Sequence, residues 1–347
     1  MKNYSNLLGT ILLLGSLMAC GAPTPAPTPI PTVTPTVEIV QDNSLHLGNW
    51  HDLFYHEELE KIILVNGGPE SGKPGTDPIE LWSWDGRQWS LLSADTEGPH
   101  WRNFASIAYD STRDVLVLYG GLTQERNYTD TWEWDGEGWT QFPVEGPGGR
   151  EAAGMTFDAS RNKTVLFGGA QSGHTMNDIW EWDGIQWTQI GTEEGPDARY
   201  PAGFVYDAAH QNILLFGGHT INDDKMTAFS DTWIWNGLTW EEIETQGPSA
   251  RDGARAIFNP TLNNVFLFGG AEFTNKVKNQ NDTWLWDGAG WQKLSVEGPG
   301  ARVHPTMAFD PKRAVIVMTG GSNEPGSILK DTWEWDGENW MCKSNCE

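Results

Sequence analysis

The sequence contains little cysteine and little positive charge. Only three of its 347 residues are cysteine, and none of them lies between residues 21 and 341. This excludes a fold held by many disulfides, and a cysteine nucleophile or cysteine-ligated metal within the body of the chain. Lys and Arg number 22 against 47 Asp and Glu, which gives a net charge of −25. Because such a surface repels phosphate backbones, we expect no nucleic-acid partner.

The sequence also lacks the common motifs of catalytic and metal sites. It contains no G-x-S-x-G, and its eight histidines show no H-x-H or H-E-x-x-H spacing. The acidic residues near position 223 lack the alternating spacing of a calcium loop. We therefore predict no catalytic residue, no metal and no cofactor. An enzyme whose site is assembled from distant segments remains the alternative, because such a site leaves no local motif.

The first twenty residues are predicted to be an export signal. Lys2 precedes an apolar run over residues 7–18, which is too short to span a membrane as a mature helix. The sequence Leu17-Met18-Ala19-Cys20 resembles the lipobox of bacterial lipoproteins. The resemblance implies lipidation at Cys20, a location in the bacterial cell envelope outside the cytoplasm, and membrane contact through the lipid anchor only. A secretory signal that is cleaved elsewhere is the alternative.

Two further segments lie outside the predicted globular domain. Residues 21–44 are rich in Pro and Thr, a composition that favours an extended linker and does not form a core. Residues 342–347 form a tail that contains Cys342 and Cys346. Export makes a disulfide between these two cysteines plausible, and two idle thiols are the alternative.

The main feature of the sequence is a repeat. The pattern W-x-W-(D/N)-G-x-x-W occurs six times, each time after a Gly-Gly pair, and contains 18 of the 20 tryptophans. The glycine pairs are 53, 48, 49, 52 and 51 residues apart. The copies lie at residues 82–89, 132–139, 180–187, 233–240, 284–291 and 333–340. A period near fifty residues indicates a repeat architecture.

Each repeat is predicted to contain four short strands. In residues 98–141, a first strand reaches Asp110, and an apolar run ending at Tyr119 reads as a strand buried on both faces. A variable loop precedes a third strand that carries Trp132 and Trp134, and a hairpin leads to Trp139. A two-residue hairpin loop would place Trp132 opposite Trp139, and a four-residue loop would place Trp134 there. In either register the three rings pack together and are structural.

Six units of four antiparallel strands fit an all-β, six-bladed β-propeller over residues 45–341. A strand ending in Gly-Gly, an aromatic-Asp pair and a later Trp together resemble the kelch repeat in all six units. This chain departs from the kelch pattern by using Trp where Tyr is usual and by a shorter hairpin. Some members of the kelch family are enzymes. The copper-oxidase type needs a cysteine that this domain lacks, which leaves an epimerase-like, carbohydrate-modifying activity as the enzymatic alternative.

One face of the predicted propeller carries the candidate ligand-binding residues. The loops after Gly-Gly and the segments before the first strands share this face, which we call the loop face. An arginine stands near the start of five first strands: Arg102, Arg150, Arg199, Arg251 and Arg302. Such a ring can bind an anion. In the favoured interpretation the arginines tie blades together through nearby acids, such as Glu97 five residues before Arg102, or Asp130 and Asp178 before third strands.

Residues that break the repeat are further candidates. Trp101, Tyr200 and His304 have no equivalent in neighbouring units. Trp101 is equally suited to stacking on a sugar and to filling a gap between blades. We therefore expect a monomeric binding or scaffold module for a protein, peptide or glycan ligand at the loop face. Clustered His and acidic residues at the channel mouth would favour an enzyme, and a channel filled by its own loops a structural envelope protein.

Overall fold

The computed structural model describes residues 45, 47, 50–66, 75–191, 194–222, 225–273 and 276–346. The predicted signal peptide, Cys20 and the linker over residues 21–44 lie outside the described residues, and so does the first Gly-Gly pair. Within the described residues the chain contains no helix, and all regular structure is β-strand.

The described residues contain six main antiparallel sheets, each with four strands in sequence order from the first to the fourth; the fifth sheet has one additional short strand, and a separate two-stranded sheet is also present. The first three consist of His51–His56, Lys61–Asn66, Glu80–Trp84 and Trp89–Ser93; Ser106–Asp110, Val115–Tyr119, Thr131–Trp134 and Trp139–Phe142; and Gly154–Asp158, Lys163–Phe167, Ile179–Trp182 and Trp187–Ile190. The last three consist of Gly203–Asp207, Asn212–Asn222, Lys225–Trp235 and Trp240–Glu242; Asp252–Asn259, Asn264–Phe273, Thr283–Trp286 and Trp291–Leu294; and Thr306–Asp310, Val315–Thr319, Thr332–Trp335 and Trp340–Ser344.

The six sheets are the blades of a propeller, as predicted. Each first strand contacts the first strands of the two adjacent blades, and blade 1 contacts blade 6, so the ring is closed. All four strands of each blade come from one continuous segment. Side chains therefore close the ring: the indole of Trp84 donates to Glu334 at 3.0 Å, and the indole of Trp89 donates to Thr332 at 3.0 Å.

The second strand of each blade forms the core, because both of its faces pack against neighbouring blades. Leu116, Val117 and Leu118 are fully buried in blade 2, which confirms the prediction from their apolar run. The Gly-Gly pair that follows this strand allows close approach of the next blade. A side chain at Gly120 would come within 2.6 Å of the Arg150 carbonyl oxygen, and the N–H of Gly121 donates to that oxygen at 2.8 Å.

The hairpin between the third and fourth strands has a four-residue loop. Trp134 pairs with Trp139, so the alternative register with Trp132 opposite Trp139 is wrong. The Asp135 carboxylate accepts the N–H of Gly138 at 3.0 Å and stabilises the turn. The equivalent rings lie 5.1 to 5.7 Å apart in five blades. These tryptophans belong to the blade packing.

Three loops of the loop face contain additional strand. In blade 4, residues 219–222 and 225–229, which follow Gly217-Gly218, extend the second and third strands as an antiparallel pair. In blade 5, Val277–Asn279 pairs with the extended second strand, and in blade 3 Ala170–Gln171 pairs with His174–Thr175.

Near the C-terminal end of the described residues, Cys342 and Cys346 are joined in a disulfide.

Candidate functional site

The five repeated arginines are buried in the blades. Each is 1–2% exposed and forms an ion pair with an aspartate of its own blade, which directly precedes the third strand in four blades and lies within that strand in blade 4. The pairs are Arg102–Asp130, Arg150–Asp178, Arg199–Asp231, Arg251–Asp282 and Arg302–Asp331. Each guanidinium also donates to the carbonyl of the first glycine of the Gly-Gly pair. The arginines therefore stabilise the loop face through buried contacts within their own blades.

In three of these pairs, the pKa of the aspartate is consistent with a structural role of the arginine. Burial opposes ionisation of Asp178, Asp282 and Asp331, but the hydrogen bonds and charges of their arginines outweigh it, so the pKa of each carboxyl is lowered. Each aspartate also accepts the N–H of the tryptophan two residues later, at 2.6 to 2.8 Å. The charge of each of these aspartates is therefore compensated by contacts within the fold.

Trp101 also lies within the packing of the loop face. Its side chain is 6% exposed, its backbone N–H donates to the backbone carbonyl of Asp77 at 2.6 Å, and its backbone carbonyl accepts the N–H of Gly75 at 2.7 Å. A buried ring offers no platform for a sugar. The structure thus matches the gap-filling interpretation of this residue.

A cavity of about 810 Å³ occupies the central channel. Its walls are the first strands of all six blades, and its loop-face mouth contains the residues that immediately follow the buried arginines. The mouth residues from these positions are Phe104, Glu151, Ala152, Tyr200, Pro201, Asp252, Gly253 and His304. Tyr200 and His304 are thus brought together as predicted candidates, while Trp101 and the five arginines are not among the lining residues. Each arginine anchors the segment whose next residues form the mouth.

The second residue after the arginine has an unusual backbone conformation in three blades. Phe104, Ala152 and His304 have φ values of 55°, 49° and 51°, in the left-handed region that L residues rarely adopt. Contacts between blades hold these positions: the N–H of Ala152 donates to the Phe104 carbonyl at 2.8 Å. Strain that is retained at a cavity mouth is a common feature of functional sites.

Side chains from three blades form a polar chain across the mouth. The Tyr200 hydroxyl donates to Glu151 Oε1 at 3.2 Å, and the Tyr200 ring stacks on His219 at 4.7 Å. His219 Nδ1 in turn lies 3.1 Å from Asp252 Oδ1. Glu151 also accepts a hydrogen bond from Asn127 Nδ2 at 3.4 Å. The chain links a carboxylate in blade 3 to a carboxylate in blade 5.

The two carboxylates of this chain differ in acidity. Burial raises the pKa of Glu151, and hydrogen bonds from Tyr200 and Asn127 oppose the effect without cancelling it. Burial also opposes ionisation of Asp252, but His219 and His304 outweigh it and lower the pKa of that carboxyl. Burial and the nearby Glu151 raise the pKa of Tyr200. Titratable groups with opposed shifts in one cavity are typical of functional sites.

A second polar group lies deeper in the channel. Asp52 forms an ion pair with Arg255 and accepts the Thr306 hydroxyl at 2.7 Å, which joins blades 1, 5 and 6. The sequence analysis did not identify this group. Asp52, Arg255 and Thr306 break the repeat at one equivalent position, where blades 2 and 3 have Ser106 and Gly154.

The opposite end of the channel is aromatic. In all six blades the first strand places an aromatic residue along the cavity, one residue before the end of the strand: Tyr55, Tyr109, Phe157, Tyr206, Phe258 and Phe309. The channel therefore has a polar mouth on the loop face and an apolar opposite end.

Within the described part of the chain, no group of three or more His, Cys, Asp or Glu side chains has an arrangement that could hold a metal ion. Nor does that part of the chain contain a helix long and apolar enough to cross a membrane.

Comparisons with known proteins agree with the geometry. A family model described as the KLHDC2/KLHL20/DRC7 Kelch-repeats domain matches residues 56–247, more than half of the chain. The solved structure of YjhT is similar in fold, with a TM-score of 0.60 at 15% sequence identity, and the match covers 84% of this chain and 97% of that one. At this identity the similarity concerns the fold alone. No curated protein matches the sequence.

Proposed function

This chain belongs to the Kelch-repeat family, and from that premise we propose that it is a binding module that receives a segment of a protein partner in its loop-face mouth. Kelch propellers commonly serve as protein-interaction scaffolds. The observation that carries the proposal is the mouth itself: a constant framework of buried arginines presents residues that differ from blade to blade. Variable side chains on a rigid scaffold are where binding usually resides.

The chemistry of the mouth suits a peptide segment. Phe104 is 38% exposed and offers an aromatic surface, while Glu151, Tyr200 and His304 offer polar groups of several kinds. Aromatic anchors beside hydrogen-bonding groups are common in interfaces that bind peptides. A glycan can use the same groups, and is the alternative ligand.

We further propose that the protein is attached to the bacterial envelope by lipid at Cys20, as a monomer, with the linker between anchor and propeller. The apolar run over residues 7–18 and the following Ala19-Cys20 support the anchor. The disulfide between Cys342 and Cys346 supports an oxidising compartment outside the cytoplasm.

Selection from a random peptide library tests the binding proposal. Peptides selected on the wild-type protein are expected to bind the variant Phe104→Ala/His304→Ala at least about tenfold more weakly. The same peptides should bind Arg87→Ala, an exposed hairpin position on the opposite face, as they bind wild type. Equal affinity for wild type and the mouth variant would overturn the proposal.

A second candidate function is acid–base catalysis on a carbohydrate. The observation that favours it is the cluster of acidic residues and histidines expected of an enzyme at the channel mouth, since Glu151 and Asp252 lie in one cavity with His219 and His304. The opposed pKa shifts of Glu151 and Asp252 suit an acid and a base. Nuclear magnetic resonance of a panel of free sugars incubated with the protein tests this function. Conversion by wild type that Glu151→Gln abolishes would establish it, and no conversion of any sugar would remove it.

A further inference from the structure

Glu151 differs from Asp252 at the mouth and from Asp52 deeper in the channel in its lack of a charged partner. Asp252 lies beside His219, and Asp52 is paired with Arg255. Among the described residues Glu151 has no ion pair, and its hydrogen-bond donors, Tyr200 and Asn127, are both neutral. A partly buried carboxylate without a counter-charge is unfavourable, so a cationic ligand group would be stabilised there.

From this geometry, and resting on the proposed function, we propose that the partner segment inserts a lysine side chain into the mouth, with Glu151 as the counter-ion of its ammonium group. The net charge of the chain also favours a cationic partner segment. The chain carries a net charge of −25, so its field attracts cationic segments and repels anionic ones.

The contacts of Glu151 favour lysine over arginine. A guanidinium binds a carboxylate best when both oxygens are available for a bidentate pair. Here Oε1 already accepts from Tyr200 and Oε2 accepts from Asn127. An ammonium group acts as a compact charge with three rotatable donors and uses the remaining lone pairs.

The walls of the mouth suit the aliphatic part of a lysine. Tyr200 contacts Glu151, Phe104 and Phe204 line the same cavity, and the Tyr200 ring is held by its stacking on His219. A lysine stem buries its methylene groups against such rings while its charged end reaches a polar group. The aromatic faces also favour the nearby cation.

Two small probes measure how much the ammonium charge contributes to binding. Nα-acetyl-lysine methylamide carries the ammonium group, and Nα-acetyl-norleucine methylamide has a closely matched aliphatic stem without it. Titration of the protein, followed by nuclear magnetic resonance, is expected to show the lysine probe binding at least about tenfold more tightly than the norleucine probe. Glu151→Gln should reduce the lysine affinity to that of norleucine.

The matched control is Glu137→Gln, which removes the same charge from an exposed hairpin on the opposite face. It should leave both affinities unchanged. Near-ultraviolet circular dichroism of each variant verifies that the aromatic packing is intact.

The outcomes separate this inference from the proposed function. Equal binding of both probes, or a lysine affinity that survives Glu151→Gln, refutes charge recognition. If Phe104→Ala weakens both probes equally in that case, the mouth still binds ligand and only the lysine inference fails. Failure of the lysine probe to bind also refutes the inference, while the peptide-library selection decides the proposed function independently.

Discussion

Replacement of Arg150 by Ala distinguishes a structural arginine from a ligand-binding one. Arg150 is 2% exposed, and its two terminal nitrogens lie 2.8 and 2.9 Å from the two oxygens of Asp178. One of these nitrogens also donates to the Gly168 carbonyl at 3.1 Å. Removal of the side chain leaves that carbonyl and a largely buried carboxylate without their cation.

The expected loss in the free energy of unfolding depends on the contacts that Asp178 keeps in the variant. Loss of one partner of a buried ion pair destabilises a protein by about 3 to 5 kcal/mol. Asp178 keeps a hydrogen bond from Trp180 at 2.7 Å and 23% side-chain exposure, so we expect the lower end, about 3 kcal/mol. The double variant Arg150→Met/Asp178→Asn has no orphaned charge and should cost about 1 kcal/mol.

Urea unfolding followed by tryptophan fluorescence measures both variants. Arg87→Ala, on an exposed hairpin, is the control and should change the free energy of unfolding by less than about 0.5 kcal/mol. A wild-type unfolding midpoint for Arg150→Ala, together with lost binding of the selected peptides, would refute the structural assignment. The arginine series would then be an anion site.

Four further substitutions or conditions test other parts of the structure. Ala152→Gly relieves a left-handed backbone and should raise the free energy of unfolding by about 1 kcal/mol; a lower urea midpoint would contradict the strain. Gly98→Ala would place a methyl carbon 2.5 Å from the Trp139 ring and should cost about 1 to 3 kcal/mol, whereas Gly138→Ala, with open space around it, is the tolerated control. The aspartates with lowered pKa values stabilise the fold above their unfolded pKa, near 3.9, so the urea midpoint should fall as pH decreases from about 4 through their lower folded pKa values, and a flat profile would contradict the pairing. Cys20→Ala should move the protein from the membrane to the soluble fraction, and continued sedimentation with membranes would exclude lipid anchoring at this residue.

The repeat made the scaffold predictable from sequence. Gly-Gly pairs, buried second strands and tryptophan hairpins recur with a constant order, so one unit read strand by strand describes all six. The hairpin register was left open because both loop lengths place the tryptophans on one face. The structure resolves it through the pairing of Trp134 with Trp139.

The site was only partly predictable, because it depends on contacts between blades that are far apart in sequence. Tyr200 and His304 stood out as exceptions to the repeat. Glu151 and Asp252 did not, since single acids in polar segments carry no signal until the ring places them on either side of Tyr200 and His219. Residues that break the repeat are also not all exposed at the mouth, since Trp101 is buried.

The buried arginines explain why a variable mouth and a constant scaffold coexist within one short segment. A guanidinium with two hydrogen bonds to an aspartate fixes the backbone at Arg150, while the residues at positions 151 and 152 face the cavity. Substitution of these two residues changes the chemistry of the mouth without removing the ion pair. The left-handed backbone at Ala152 and His304 is tolerated because contacts with adjacent blades hold it in place. Blades 3, 4 and 5 therefore each contribute a pair of residues to one shared mouth, and blades 2 and 6 contribute one residue each, so the chemistry of the mouth can change while the propeller framework is retained.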